Sequence, residues 1–258
     1  MTETSDRPSI PAATVIVFRN DPAGGSPQIL MVTRHNAMTF AGGMAVFPGG
    51  RVDPEDHALA ATLDTEFDSD EAAHRIAAVR ETLEETGLAI GLVGDVSADT
   101  AREARALLER EGALAPVLAA MDWSLDLGSV VPFARWHPKN ERIPRIFDTR
   151  FYLADLGTGA VELEIDGSEN THLFWTSASG ALDMASRGDL SVIFPTRRNL
   201  ERLAQFGSFA EARAHAEATP VRTITPWMEE RGGVRWLRIP DDAGYPVAGE
   251  PLTTAARG

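Results

Sequence analysis

Short apolar runs rich in β-branched residues alternate along this chain with longer stretches whose apolar positions recur at helical spacing. The runs at 14–18, 28–33 and 44–47 predict strands. The first two are joined across a turn holding Pro22, Gly24 and Gly25. From 69 to 86 the rhythm changes. Ala72, Ile76, Val79 and Leu83 stand at i, i+4, i+7 and i+11 and share one face of a helix. Asp68, with Glu71 three residues later, fits a capping box at its start, and Gly87 closes it where positive φ is cheap. Residues 57–67, before it, carry only weak helical character, through 58–63. After it a strand is predicted at 88–93, then a helical stretch at 99–121, broken near Gly112 and Pro116, that reads as an insertion.

Strands are predicted at 130–136 and 146–153, with two strand-like pieces in 162–175 separated by Asp166 and Gly167. Helices follow at 176–187, capped by Thr176 or Ser177, at 194–206 with Pro195 in the first turn, and at 209–218. Two short strands flank Gly232 and Gly233. Strands and helices mix without strict βαβ alternation, which predicts a mixed sheet covered by helices rather than a doubly wound parallel one. The expected organisation is a flexible N-terminus at 1–12, one domain at 13–240 with a helical insertion at about 98–122, and a loose tail at 241–258, rich in Asp, Gly and Pro.

Composition narrows the partners more than the fold. A formal net charge of −14 over 258 residues makes a nucleic acid polymer a poor partner. A small phosphorylated ligand stays open if metal ions or a local basic patch reverse the field. With no cysteine, disulfides, thiolate zinc sites and cysteine nucleophiles are excluded. No apolar run approaches the length of a membrane span, and the polar N-terminal residues lack a signal-peptide core, so a cytoplasmic protein is expected.

The chemistry concentrates on the helix at 69–86. Glu81, Glu84 and Glu85 lie within five residues and project within about 100° of one another, opposite the apolar stripe. An ordinary solvated face has the same pattern, and geometry alone does not separate the two readings. The setting does: Phe47-Pro48-Gly49-Gly50 precedes the helix, Arg80 sits within it, and Gly87 ends it. Hard divalent cations such as Mg²⁺ or Mn²⁺ prefer carboxylate oxygens at such spacing and can neutralise a pyrophosphate and activate water. Clustered like charges also raise a carboxylate pKa, so that one of the three can serve as a base. Gly49 and Gly50 let backbone approach a metal or phosphate, and Arg80 can hold a carboxylate of the cluster bidentately.

Together Gly50, Arg80, Glu81, Glu84, Glu85 and Gly87 resemble the Nudix box, a Gly, five residues, Glu, seven residues, then Arg-Glu-apolar-x-Glu-Glu-x-Gly-apolar. The second half stands from Arg80 to Leu88, with Thr82 at the apolar position. Asp56 stands at the first acidic position, and the seven-residue spacer has become 23 residues, 57–79. The resemblance implies an α/β/α sandwich of Nudix type, with a mixed central sheet, and metal-dependent hydrolysis of a nucleoside diphosphate linked to another moiety. The segments 43–53, 132–136 and 145–153, Trp175, and Pro195-Thr196 are similar to the branch that includes the mammalian peroxisomal coenzyme A diphosphatases. Coenzyme A or an acyl derivative is therefore the expected substrate, with ADP-ribose or a dinucleotide, or a non-catalytic nucleotide-sensing module, as alternatives.

Arg135, Lys139, Arg142, Arg145 and Arg150 cluster against only Glu141 and Asp148. They read either as a phosphate-recruiting patch or as internal ion pairs and surface charge. Arg34, Gly50, Arg135, Arg145 and Arg150 are the candidate substrate contacts. Trp136, Phe147, Phe151 and Trp175 either stack on a base or pack the core, the latter being the default. His35 and His137 read as surface residues. Glu164 or Glu169 would be the further carboxylate that many such hydrolases recruit from a loop. A homodimer is left open.

Overall fold

The strand β1 (Ile10–Arg19) sorts its side chains by parity: Ala13, Val15 and Val17 enter one apolar core, Ile16 and Phe18 another. Both faces of its sheet are therefore covered, as the mixed pattern of elements predicts. The computed structural model describes residues 8–35, 41, 43–138, 145–156 and 170–255, with backbone alone at Asn170 and Thr171.

Around β1 lie β2 (Gln28–Arg34), β3 (Ala45–Val46), β4 (Gly49–Arg51), β7 (Val131–Trp136), β8 (Phe147–Asp155), β9 (Asn170–Ser177) and β10 (Thr223–Ile224). The order is β10-β7-β8-β1-β2-β3, with β4 also paired to β1 and β9 to β2. The pairs β1–β8 and β10–β7 are parallel and the others antiparallel, a mixed sheet. β1 changes partner along one edge. It meets β2 at Phe18 and Arg19 but β4 from Ala12 to Thr14. A cleft opens at that fork.

The first core holds residues of α1 (Pro54–Ala60), α2 (Ser69–Thr86), α3 (Ala98–Glu111) and α4 (Leu114–Met121), and the short pair β5 (Leu92–Val93) and β6 (Ser124–Leu125) adjoins it. The second holds residues of α5 (Ala178–Arg187), α6 (Phe194–Leu203) and α7 (Phe209–Ala218). A three-stranded sheet of β11 (Trp227–Arg231), β12 (Val234–Arg238) and β13 (Gly249–Pro251), followed by α8 (Leu252–Ala255), ends the described chain.

Helix α2 has the expected ends. The Asp68 carboxylate accepts from the Glu71 N–H at 2.8 Å, and Gly87 closes it at φ 73°. Glu71 turns its carboxylate to Arg75 and Arg150, so the cap rests on Asp68. The predicted stripe is buried, but so are His74, Arg75, Arg80, Thr82, Glu85 and Thr86 on other faces. Thr82 fits because its hydroxyl donates to the Ala78 carbonyl at 2.8 Å. An acidic helix face that is largely enclosed is not a solvated one.

Three expectations are corrected. The spacer forms α1 four residues earlier than its apolar positions suggest, with Asp53 as N-cap and Pro54 opening the first turn. Only Leu92 and Val93 of the predicted strand at 88–93 pair, because Gly91 turns the chain at φ 64°. Residues 241–255 are not a loose tail. β13 pairs with β12, and Ala243 and Tyr245 are buried in the second core.

Candidate active site

The sheet register lays out the site. Trp136 of β7 faces Thr149 of β8, Thr149 faces Ala12 of β1, and Ala12 faces Arg51 of β4. At strand spacing this row spans about 14 Å. Its middle is small, Ala12 and Thr149, and its ends are an indole and a guanidinium. The next row brings Phe151, Thr14 and Gly49 together. These residues floor a cavity of about 650 Å³, also lined by Arg34, Gly50, Arg80, Glu81, Glu84 and Glu85. The start of α6 contributes Pro195 and Thr196 to its far wall, and the helical insertion contributes Leu108 and Glu109. Phe147 and Arg145 complete the β8 side.

The three glutamates of α2 thus open into one space. Their environments differ. Glu84 is the most exposed, at 44%, and Glu81 is 15% exposed. Burial pushes the Glu81 carboxyl up to about 8; Arg80 opposes this, and Glu85 and Glu84 add to it. The raised carboxylate expected of the cluster is therefore Glu81, and desolvation is its first cause. Glu85 is fixed by the Gly49 N–H, which donates to its carboxylate at 2.9 Å.

The two glycines have separate reasons. Gly49 sits at φ 151°, and a Cβ there would overlap the Ala13 carbonyl. A Cβ on Gly50 would overlap the Glu81 carboxylate. The room that Gly50 leaves is filled by Glu81 rather than by a ligand.

Arg80 holds its bidentate partner outside the glutamate cluster. Its Nε and Nη2 donate to the two Asp56 carboxylate oxygens at 3.0 and 2.9 Å. Nη2 also donates to the Arg51 carbonyl at 2.9 Å, and Nη1 to Glu81 at 3.0 Å. Burial disfavours this charge, but the Asp56 hydrogen bonds and the surrounding carboxylates raise the Arg80 pKa above its ordinary value. Asp56 is 1% exposed and also accepts from the Asp53 N–H at 2.9 Å. It does not line the cavity. The first acidic position thus anchors Arg80 and caps α1, which corrects its candidacy as a site carboxylate.

The arginine cluster divides. Arg135 forms a bidentate pair with Asp148, and Arg150 is taken up by Asp70 and Glu71. Neither lines the cavity, so both are internal ion pairs and not substrate contacts. Arg145 and Arg34 do line it. Lys139, Arg142, Glu164 and Glu169 lie outside the described residues. Sequence reasoning missed Arg51, which lines the cavity and makes no side-chain ion pair among the described residues. Strand alternation puts it on the face of Gly49, a signal that was present. Trp136, Phe147 and Phe151 line the cavity, whereas Trp175 packs under Arg19, 4.3 Å from its ring.

Among the described residues no three acidic or histidine side chains converge closely enough to hold an ion by themselves. The donor chemistry still suits Mg²⁺ or Mn²⁺, which are commonly bound by one or two carboxylates, with waters and phosphate oxygens completing the shell.

Residues 8–113 match the family model of the NUDIX domain. That stretch is a NUDIX domain. A NUDIX hydrolase from Alicyclobacillus acidocaldarius is 28% identical over 81% of this chain and 97% of its own, with a TM-score of 0.69. A MutT NUDIX hydrolase from Burkholderia pseudomallei is 14% identical, covering 76% of this chain and 98% of its own, with a TM-score of 0.43. The NUDIX domain of Shewanella oneidensis NrtR, solved with ADP-ribose, is 12% identical, covering 78% and 90%, with a TM-score of 0.40. No curated protein sequence matches. The reaction class is that of a Nudix pyrophosphohydrolase, and such hydrolases generally use divalent metal ions. No helix among the described residues is long and apolar enough to cross a membrane.

Proposed function

We propose that this enzyme hydrolyses a nucleoside diphosphate linked to a second moiety, with coenzyme A or an acyl derivative as substrate and Mg²⁺ or Mn²⁺ as cofactor. The observation that carries the reading is the meeting of Glu81, Glu84 and Glu85 with Arg51 and Arg145 in one cavity. Carboxylates alone would repel a diphosphate. Guanidiniums in the same cavity give its anionic parts a place to bind. Resemblance in the segments around Phe47-Pro48-Gly49-Gly50 and Pro132 to Trp136 supports the coenzyme A class.

Glu81, Glu84 and Glu85 would supply one or two carboxylates to a metal, which when bound offsets diphosphate charge and activates water. The chain's own residues supply the rest. Arg80, anchored on Asp56, keeps Glu81 close to β4. The Gly49 N–H orients Glu85. Burial raises the Glu81 carboxyl, and a bound cation would favour its charged form. Arg51 and Arg145 bind anionic parts of the substrate, and the small floor of Ala12 and Thr149 lets it lie across the strands.

The test is a panel of coenzyme A, an acyl-coenzyme A, ADP-ribose and a dinucleoside polyphosphate, each with Mg²⁺ and then Mn²⁺, with products resolved. Coenzyme A or its acyl form is expected to be cleaved fastest, to a nucleoside phosphate and a phosphorylated remainder. Faster cleavage of ADP-ribose would overturn the substrate assignment and leave the class. Cleavage of none would overturn the reading itself.

A further inference from the structure

The far wall of the cavity is made by two elements, β7 through Trp136 and α6 through Pro195 and Thr196. Away from the cavity Arg202 of α6 donates to the Phe133 carbonyl of β7 at 2.9 Å. At Trp136 itself a buried hydroxyl joins the two elements. The Trp136 indole N–H donates to the Tyr245 hydroxyl at 3.0 Å, and that hydroxyl donates to the Asn199 carbonyl oxygen at 2.7 Å. Asn199 lies on α6, one turn beyond Pro195. Trp136, Asn199 and Tyr245 are 2%, 0% and 7% exposed. The indole is further boxed by edge contacts, with Phe194 at 6.0 Å and Tyr245 at 5.8 Å between centroids. Burial pushes the Tyr245 hydroxyl up to about 12, so it keeps the proton it donates.

Tyr245 lies far outside residues 8–113, in the segment whose composition read as a loose tail. A second anchor holds that segment to the same helix. Glu250 reaches Arg198 of α6 at 3.4 Å, without touching Trp136. The segment therefore has one tie that reaches the indole and one that reaches α6 alone.

We infer that Tyr245 is a positioning residue for substrate: its hydroxyl sets the plane of Trp136 against Asn199 of α6, and so the shape of the wall that receives the part of the substrate farthest from the carboxylates. The inference rests on the cavity being the substrate site. Losing the hydroxyl leaves an indole N–H and an amide oxygen buried without their partner, which favours reorientation of the ring.

The experiment compares the parent with Tyr245→Phe and Glu250→Gln. For the best-cleaved diphosphate of the panel, Tyr245→Phe is expected to raise KM about tenfold with kcat within about twofold. Glu250→Gln is expected to leave KM unchanged while also lowering Tm. Equal KM in Tyr245→Phe and parent, or equal KM changes in the two variants, would overturn the inference, the latter by showing general loosening. A second reading is independent of turnover. The indole N–H resonance of Trp136, assigned with Trp136→Phe, should shift and exchange faster in Tyr245→Phe but not in Glu250→Gln. An unmoved resonance overturns the positioning role. If the parent cleaves no diphosphate, the functional reading fails, and the resonance still decides whether Tyr245 orients Trp136.

Discussion

Asp56 and Glu84 stand at acidic positions of one sequence motif, and the protein uses them in opposite ways. Asp56 is 1% exposed, caps α1 and grips Arg80 with both oxygens. Glu84 is 44% exposed, reaches the same Arg80 at 3.6 Å, and lines the cavity with Glu81 and Glu85. Asp56, before the long spacer, is structural, and on the proposed reading the glutamates after it present the chemistry. Like residue types at motif spacing do not share a role. Burial and hydrogen-bond geometry distinguish a carboxylate locked on a guanidinium by both oxygens from one that also lines a cavity.

The arginines repeat the contrast. Arg135 and Arg150 are held by Asp148, Asp70 and Glu71, whereas Arg51 and Arg145 line the cavity. A basic stretch in an acidic chain looked like one patch in sequence; in the fold, some of its charges are used internally.

The largest effect that breaks this comparison is on turnover. Glu85→Gln keeps an oxygen for the Gly49 N–H, so the fold should hold while kcat falls about a thousandfold. A loss below tenfold would place Glu85 with the structural half. Next is stability. Asp56→Asn leaves the Arg80 charge buried without its bidentate partner and should cost about 3 kcal/mol, read by denaturant titration. Asp53 and Glu81 remain near Arg80, which keeps the variant folded. A smaller effect separates the arginines: Arg145→Ala should raise KM about tenfold, and Arg135→Ala should leave it within about twofold.

The smallest effect is a pH slope far from the cavity. Burial pushes the Glu201 carboxyl from the ordinary 4.5 up to about 7, with Arg198 opposing and Glu250 adding. Between those values the folded chain holds a proton that the unfolded chain has released. This contribution to stability is present below pH 4.5 and lost as pH rises to about 7. Glu201→Gln should flatten that part of the stability profile, measured by urea midpoint; an unchanged slope would remove Glu201 as its source.

Much of the fold was legible because its signals are local. Asp68 and Gly87 bracket α2, and Ser208 caps a helix whose bounds, Phe209–Ala218, match the predicted ones. The glutamate cluster was legible for the same reason. α1 was misplaced although its cap was visible, since Asp53, Pro54 and Asp56 form an N-terminal signature that the apolar pattern of 58–63 obscured. The pairing of Arg135 with Asp148 depends on the register of β7 on β8, which no local pattern states. The role of Asp56 depends on Arg80, 24 residues away, meeting it in space. Burial of Tyr245 against Trp136, 109 residues apart, was the least legible of all, because Gly, Pro and Asp nearby describe the turns of that segment and not its packing.

One pair of readings on one pair of variants tests the central division most directly: kcat and Tm of Glu84→Gln beside those of Asp56→Asn. Glu84→Gln should lose turnover by about a hundredfold or more with Tm unchanged, while Asp56→Asn loses Tm and keeps turnover per folded molecule within about tenfold. Turnover intact in Glu84→Gln, or turnover lost in Asp56→Asn at full folding, would contradict the account.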